Sequence, residues 1–173
     1  FKVLLEYQQE DGGIYNPKEG RSNYCTSIAI CALAAAKDPK FKPAMEKAVK
    51  YLRQIQIRAG SISRDPKNEG KVIAGGHPYV GGVSYGAEHG RPDLNNLGWW
   101  MEAMHEAGVE GDDPDMQRAL LFVTRCQNRS ESNTLAFAKE GSNDGGFIYA
   151  PAKRDIAEAE SKAGKGLGGR GLR

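Results

Sequence analysis

The sequence lacks several features that would reveal a function directly. Its 173 residues carry a formal net charge of +2, so the charge balance does not indicate the strongly basic surface of a nucleic-acid-binding protein. No apolar run reaches the length of a transmembrane helix, and no signal peptide is visible. The sequence therefore predicts no nucleic-acid partner and no transmembrane segment.

Cysteine is also scarce, with three residues in the chain. Cys25 and Cys31 lie in one predicted helix, about 9 Å apart along its axis at ~1.5 Å per residue, which is beyond the reach of a disulfide. Cys126 falls at a predicted buried position. We interpret the thiols as small core residues. This favours a reducing compartment such as the cytoplasm but leaves the localisation open.

What the sequence does contain is a helical segment that recurs. Residues 48–56 form an amphipathic pattern that ends in a glutamine, residues 119–127 repeat it, and residues 1–9 form a weaker copy. The three terminal glutamines are Gln9, Gln56 and Gln127. A Gly-Gly-apolar-Tyr signal follows each copy, at residues 12–15, 81–85 and 145–149. Glycine supplies the positive φ of a helix exit, and a glutamine amide offers donors to open carbonyls, so we expect a shared mechanical purpose.

The two strong copies have matching apolar stripes. The first stripe consists of Met45, Ala48, Val49, Leu52 and Ile55. The equivalent positions in the second copy are Met116, Ala119, Leu120, Val123 and Cys126. Charged residues occupy the opposite face, which places these helices in an outer layer.

Two other helices alternate with these segments. One follows a cap at Ser22 or Asn23 and runs to about Ala36; it is apolar all round, which predicts burial on every side in an inner layer. The second inner helix spans Asn96 to Ala107.

A cap at Asp93 or Asn95 precedes this second inner helix. Gly98 within it costs about 1 kcal/mol relative to alanine, which indicates either a close packing contact or room for another group.

Two stretches lie outside the helical pattern. Residues 58–92 are long for a connection, and two interpretations stay open: a lid or rim element, or a mobile insertion without a role. Residues 153–173 have a weak apolar face and are expected to be poorly ordered. Because residue 1 already lies inside a helical copy, we interpret the chain as a single partial domain cut from a longer protein.

The repeat carries a resemblance to a known superfamily. It resembles the QW motif of squalene and hopene cyclases and the repeat of protein prenyltransferase beta subunits, through the patterns Lys47-Ala48-x-x-Tyr51-Leu52-x-x-x-Gln56 and Gln9-x-x-x-Gly13-x-Tyr15. Tyrosine stands where the cyclase motif has tryptophan, and long insertions separate the glutamine from the glycines in the second and third copies. The resemblance extends to about Tyr149.

The resemblance implies an all-α fold, an α/α toroid of alternating inner and outer helices around an apolar cavity that holds an isoprenoid chain. The five predicted helices would form about half of such a ring. The edges of a half-ring would expose apolar surface, so the chain is expected to self-associate.

The motifs of the family's chemistry are missing. Cyclases protonate an alkene with a D-x-D-D motif, whereas residues 112–115 read Asp-Asp-Pro-Asp and are interpreted as a helix cap. The zinc-binding Asp, Cys and His set of prenyltransferases is not supported, because His77, His89 and His105 lack ligand spacing. The sequence therefore predicts no metal and no cofactor here.

The candidate site residues lie on and before the second inner helix. Trp99 or Trp100 would face a cavity and pack an isoprenoid chain or stabilise a carbocation, with core packing as the alternative. Glu102 and His105, three residues apart, are weak candidates for an acid/base pair; a solvated face or a structural ion pair is the alternative.

The other ligand-binding candidates are Tyr85, His89 and Asp93, at the expected rim of the cavity. Two functions stay open. The first is a cyclase-like or prenyltransferase-like protein that binds an isoprenoid or triterpene, with its catalytic acid outside this segment. The second is a non-catalytic toroid used as a binding or scaffold module.

Overall fold

The computed structural model describes residues 1–64, 69–87, 90–140 and 143–151. All regular secondary structure in these ranges is helical, and extended pairing is limited to isolated bridges, so the predicted all-α class is confirmed. The α-helices are α1 (Lys2–Glu6), α2 (Ser22–Ala35), α3 (Lys42–Ile55), α4 (Leu94–Glu106), α5 (Pro114–Cys126) and α6 (Ala136–Glu140). A 3-10 turn, Pro39–Phe41, precedes α3. The expectation for residues 153–173 lies outside the described residues.

The helices found in the described ranges include the five that the sequence predicts, and α6 is an addition. None of these described helices is both long and apolar enough to cross a bilayer.

Two predicted helix caps are confirmed. Before α4, the Asp93 carboxylate accepts a hydrogen bond from the backbone N–H of Asn96 at 2.9 Å. Before α5, the Asp113 carboxylate accepts one from the backbone N–H of Asp115 at 2.8 Å, and Pro114 occupies the first helical position. Each cap satisfies an N–H that the helix itself leaves open.

The predicted cap of α2 is wrong. Arg21 stands at the cap position and makes no capping bond with its side chain, whereas Ser22 and Asn23 are already helical. Asn23 is buried and donates its amide Nδ2 to the carbonyls of Ser84 at 2.9 Å and Asn96 at 3.3 Å. Its side chain therefore links neighbouring segments instead of closing its own helix.

The two central helices, α2 and α4, lie side by side, and each carries one flanking helix: α3 packs on α2, and α5 packs on α4. We call α2 and α4 the inner helices and α3 and α5 the outer helices. The inner helices run parallel, because Tyr24 near the start of α2 contacts Trp99, while Cys31 further along lies near Glu102 and Glu106. Closure of such pairs into a ring stays a prediction.

The core lies between the inner and outer layers. Ala29 of α2 and Ala103 of α4 are fully buried, and such small side chains allow two helices to approach closely. Trp100 of α4 is also fully buried and donates its indole N–H to the carbonyl of Leu52 at 2.9 Å. This bond fastens the second inner helix to the first outer helix.

One side of α2 is more exposed than the sequence predicts. Ile28 is 37% exposed, Ala35 is exposed, and Tyr24 and Cys31 are half-buried. These positions recur at helical spacing and form one strip, so the expectation of burial on every side is wrong. The other faces of α2 contact α3 and α4, which leaves this strip without a covering helix among the described residues.

The apolar stripe of α5 is rotated relative to the prediction. Leu120 is 45% exposed, whereas Phe122, which the predicted stripe omits, is fully buried. Phe122 occupies the position equivalent to the buried Tyr51 of α3, and its ring packs against Gly82. The cause is non-local, because the space for the ring comes from a glycine in a distant loop.

The connection between α3 and α4 is partly ordered by its own pairing. An isolated antiparallel bridge joins Ile62 to Val72, and both side chains are more than half exposed. Tyr79 and Val83 are buried, so the later part of this connection belongs to the core. A hollow of about 430 Å³ lies beside the bridge and is lined in part by Ile57. The lid interpretation stays a prediction.

Candidate functional site

The repeated glutamine is part of a recurring local structure. In each copy the side-chain amide donates to the carbonyl of the first glycine of the following pair. The bonds are Gln8 to Gly12 at 3.1 Å, Gln56 to Gly81 at 3.2 Å and Gln127 to Gly145 at 3.1 Å. The first copy therefore uses Gln8, and the predicted register at Gln9 is wrong by one residue. Gln9 instead donates its amide to the carbonyls of Tyr7 and Tyr15.

The backbone beside each glutamine is paired in the same way three times. The residue after the glutamine donates its N–H to the second glycine of the pair and accepts from the first. The residues that do so are Gln9, Ile57 and Asn128, with donated bonds of 2.8, 3.0 and 2.7 Å. The first glycine of each pair has a positive φ, at Gly12, Gly81 and Gly145. Glycine is favoured there because other L residues rarely adopt that conformation.

Two of the three glutamines also hold the next outer helix. Gln8 donates to the carbonyl of Ala44 in the first turn of α3 at 2.9 Å, and Gln56 donates to that of Asp115 in the first turn of α5 at 2.9 Å. A Cβ atom on Gly12 would lie 2.5 Å from the carbonyl oxygen of Lys47. The motif thus holds the start of the next outer helix, which is a structural role. The carbonyls that the glutamines bond lie outside their own helices, and not at the ends of those helices as the sequence suggests.

The acidic segment before α5 is fixed by arginines. Arg53 donates two hydrogen bonds of 2.8 Å to Asp113 and one of 2.6 Å to Asp115. Arg58 and Arg118 also bind the carboxylate of Asp115, which is buried. Hydrogen bonding by Arg53 holds the pKa of Asp113 below its usual range. These carboxylates join α3 to α5, so their interpretation as structural groups is confirmed.

The exposed sides of the two inner helices meet in an aromatic surface. We call Tyr24 and Ile28 of α2, Trp99 of α4 and Tyr85 of the connection before α4 the aromatic surface. Tyr24 and Trp99 pack edge to face with ring centroids 6.0 Å apart. Tyr85 and Trp99 are each 38% exposed, although burying such rings is favourable. The surface is therefore available for an apolar partner.

A pocket of about 590 Å³ opens at one end of the aromatic surface. Tyr24 and Tyr85 line it together with the polar residues Glu19, Arg21 and Asn95. Its size is in the usual range for small-molecule sites.

The opposite end of the inner helices carries acidic residues. Burial, followed by the charges of Glu102 and Glu106, raises the pKa of the Cys31 thiol. The inner surface is thus apolar and aromatic toward the start of both helices and acidic toward their ends.

The structure distinguishes the two candidate tryptophans. Trp99 belongs to the aromatic surface, whereas the indole N–H of Trp100 is already bonded to a backbone carbonyl in the core. The suggestion that Trp100 faces a ligand is therefore corrected to core packing. Helical geometry explains the difference, because adjacent residues point in directions about 100° apart.

The proposed acid/base pair is not assembled. Glu102 and His105 are both exposed, and neither side chain makes a hydrogen bond or ion pair with any described residue. Proton transfer would need direct contact or one bridging water. The acid/base role therefore stays a prediction, and the exposure of both residues fits the alternative of a solvated face.

Asp93 is part of the buried framework. It is 2% exposed, and besides capping α4 it accepts a hydrogen bond from the Asn96 amide at 2.7 Å. Burial, and secondly the Asp93 carboxylate, raises the pKa of Tyr149, which also bonds with Tyr85. Asp93 and Tyr85 therefore both lie beside Tyr149.

Gly98 lies on the exposed side of α4, next to Trp99. A Cβ atom added there would meet no described atom within 4 Å, so the close-packing interpretation of this glycine is wrong and the alternative of free space holds for the described part of the chain. His89 lies outside the described residues. Among the residues that are described, no group of three or more His, Cys, Asp or Glu side chains is placed to hold a metal ion.

Sequence reasoning missed Tyr24 and Arg21 as site residues. Tyr24 was assigned to a buried helix, and only its contact with a second helix shows that it flanks an open surface. The chain matches no protein-family model, no curated protein and no solved structure.

Proposed function

We propose that this chain forms part of the wall of a binding cavity for an isoprenoid chain. The observation that supports this proposal is the aromatic surface, in which Tyr85 and Trp99 stay half exposed beside a pocket on the inner helices. Aromatic faces and an adjacent isoleucine suit the methyl-branched, unsaturated surface of an isoprenoid. In an α/α toroid of the kind that the repeat resembles, this side of the helices would line the central cavity.

The proposal assigns binding to this segment and leaves catalysis elsewhere. Glu102 and His105 make no hydrogen bond or ion pair with the described residues, and the buried aspartates cap helices or pair with arginines. A cyclisation would require a strong acid, which these described groups do not offer. The catalytic acid of an enzyme built on this wall would come from another part of the protein.

Tryptophan fluorescence tests the binding proposal. Farnesol that packs on Trp99 should shift its emission to shorter wavelength, while the buried Trp100 contributes a constant background. Trp99→Phe should remove the shift, and Trp99→Ala should weaken binding about fivefold or more, measured by thermal shift. Leu121→Ala is the control, because Leu121 is 41% exposed on an outer helix.

Two results would argue against an isoprenoid site. One is an unchanged spectrum at saturating farnesol in the wild-type protein. The other is equal affinity for farnesol and dodecanol, which would indicate a general apolar surface.

A second candidate function is a scaffold without a small-molecule ligand. The bonds from Gln8 to α3 and from Gln56 to α5 support the scaffold function, because they connect each repeat to the next outer helix. Apolar residues are also exposed at both ends of the array, at Phe1, Val3 and Leu120. Light scattering would show concentration-dependent assembly for a scaffold, with no change on addition of farnesol.

A further inference from the structure

The third copy of the glutamine and glycine motif is fully formed, yet no described helix lies in it. Gln127 donates to Gly145 at 3.1 Å, and Asn128 exchanges backbone hydrogen bonds of 2.7 and 2.9 Å with Gly146 and Gly145. Among the described residues, the atom nearest to a Cβ added at Gly145 is the Gln127 amide nitrogen, at 4.0 Å. In the first two copies, a helix backbone occupies this space.

The first two copies of the motif each bind an outer helix, and these two helices show which features a helix bound by the third copy should have. Each holds a helix that has a proline at its first or second position, and each contacts that helix at three equivalent points. The glutamine bonds a first-turn carbonyl, the first glycine faces a carbonyl one turn later, and the second glycine faces an aromatic ring. These points are Ala44, Lys47 and Tyr51 in α3, and Asp115, Arg118 and Phe122 in α5.

We propose that Gln127, Gly145 and Gly146 form a docking site for an amphipathic helix of the same kind as α3 and α5. The helix should begin with Pro-x-Met-x-Lys/Arg-Ala and carry an aromatic residue three positions after that alanine, as α3 and α5 both do. This inference is independent of the isoprenoid proposal, because the site lies at the end of the array.

A constrained peptide tests the docking site. Residues 41–56 of this sequence contain every contact point, and a lactam between Glu46 and Lys50 would hold the peptide helical, since both side chains are exposed in α3. Fluorescence anisotropy of the labelled peptide with the whole 173-residue protein should show saturable binding. Gln127→Ala should weaken that binding about fivefold, the effect of one lost hydrogen bond.

A matched pair of glycine variants separates docking from folding. Gly145→Asn keeps a residue that tolerates positive φ and places a side chain where the helix backbone would approach, so it should abolish binding. Gly108→Asn is the control, because Gly108 also has a positive φ and open space around it. Both variants should retain the wild-type circular dichroism spectrum and melting temperature to within a few degrees.

Three results would overturn the proposal. The first is no saturable binding to the wild-type protein at millimolar peptide. The second is equal binding by the Gly145→Asn and Gly108→Asn variants. The third is an oligomer in light scattering that Gly145→Asn dissociates while the peptide fails to bind, which would identify a second copy as the occupant.

Discussion

Replacing Gln56 by alanine tests the repeat motif most sharply. The side chain is 3% exposed, its amide donates to two carbonyls that belong to different repeats, and its oxygen accepts from the Nε of Arg118 at 3.3 Å. The substitution removes these bonds and leaves buried carbonyls without a donor. At about 1 kcal/mol for each bond, the loss in free energy of unfolding is about 3 kcal/mol.

Thermal and urea denaturation followed by circular dichroism would measure this loss. For a chain of this length, about 3 kcal/mol corresponds to a fall in melting temperature of about 6 to 12 °C. Gln54→Ala is the matched control, because Gln54 lies on the same helix, is exposed and makes no side-chain hydrogen bond with the described residues. Its effect should stay within about 0.5 kcal/mol. Equal effects of the two substitutions would refute the proposed role of the motif.

Three other predictions concern glycine, pH and association. Gly81→Ala should lower the free energy of unfolding by about 3 kcal/mol, because φ at Gly81 is +93° and a Cβ atom there would overlap the backbone of the next outer helix. Gly98→Ala should raise the free energy of unfolding by about 1 kcal/mol, because alanine is the better helix former. Urea titration of both variants measures these changes. Arg53 lowers the pKa of Asp113 in the folded protein, so the pair stabilises the fold at pH values above the unfolded aspartate pKa of about 3.9. This stabilisation is lost as the pH falls through the lowered pKa of the folded state. Asp113→Asn should therefore flatten the acidic part of the curve of unfolding free energy against pH. If the exposed side of α5 mediates association, Leu121→Glu should reduce the apparent molar mass in light scattering. An unchanged mass would show that association does not use this side of the helix.

Local chemistry made much of the fold predictable. A carboxylate before a helical pattern predicts a cap, and Asp93 and Asp113 both act as caps. In the first copy, a glutamine shortly before two glycines predicts a tight exit with a carbonyl acceptor, as found between Gln8 and Gly12. These features depend on a few adjacent residues, so a single sequence contains the information.

The errors arose where a distant segment decides the outcome. Phe122 is buried because Gly82 makes room for its ring, which turns Leu120 toward solvent. Asn23 bonds to segments more than 60 positions away, so nothing near it in sequence indicates that use. Periodicity alone does not contain such information.

The candidate site was predicted only in part. Trp99 and Tyr85 are identified from the sequence because aromatic residues on or just before an inner helix are conspicuous. Periodicity places Trp99 and Trp100 on different faces of that helix, but it does not show which face borders an open surface. Tyr24 was missed because an apolar helix looks the same whether it faces the core or an open cavity. The separation required the packing of α2 against α4.

Photolabelling with a farnesol that carries a diazirine group tests the proposed function most directly, because it reports where an isoprenoid binds. Mass spectrometry of the labelled protein should locate saturable modification, competed by unlabelled farnesol, on peptides that contain Tyr24 and Trp99. Labelling confined to the exposed outer residues Leu120 and Leu121, or labelling that farnesol does not compete, would contradict an isoprenoid site on the inner helices.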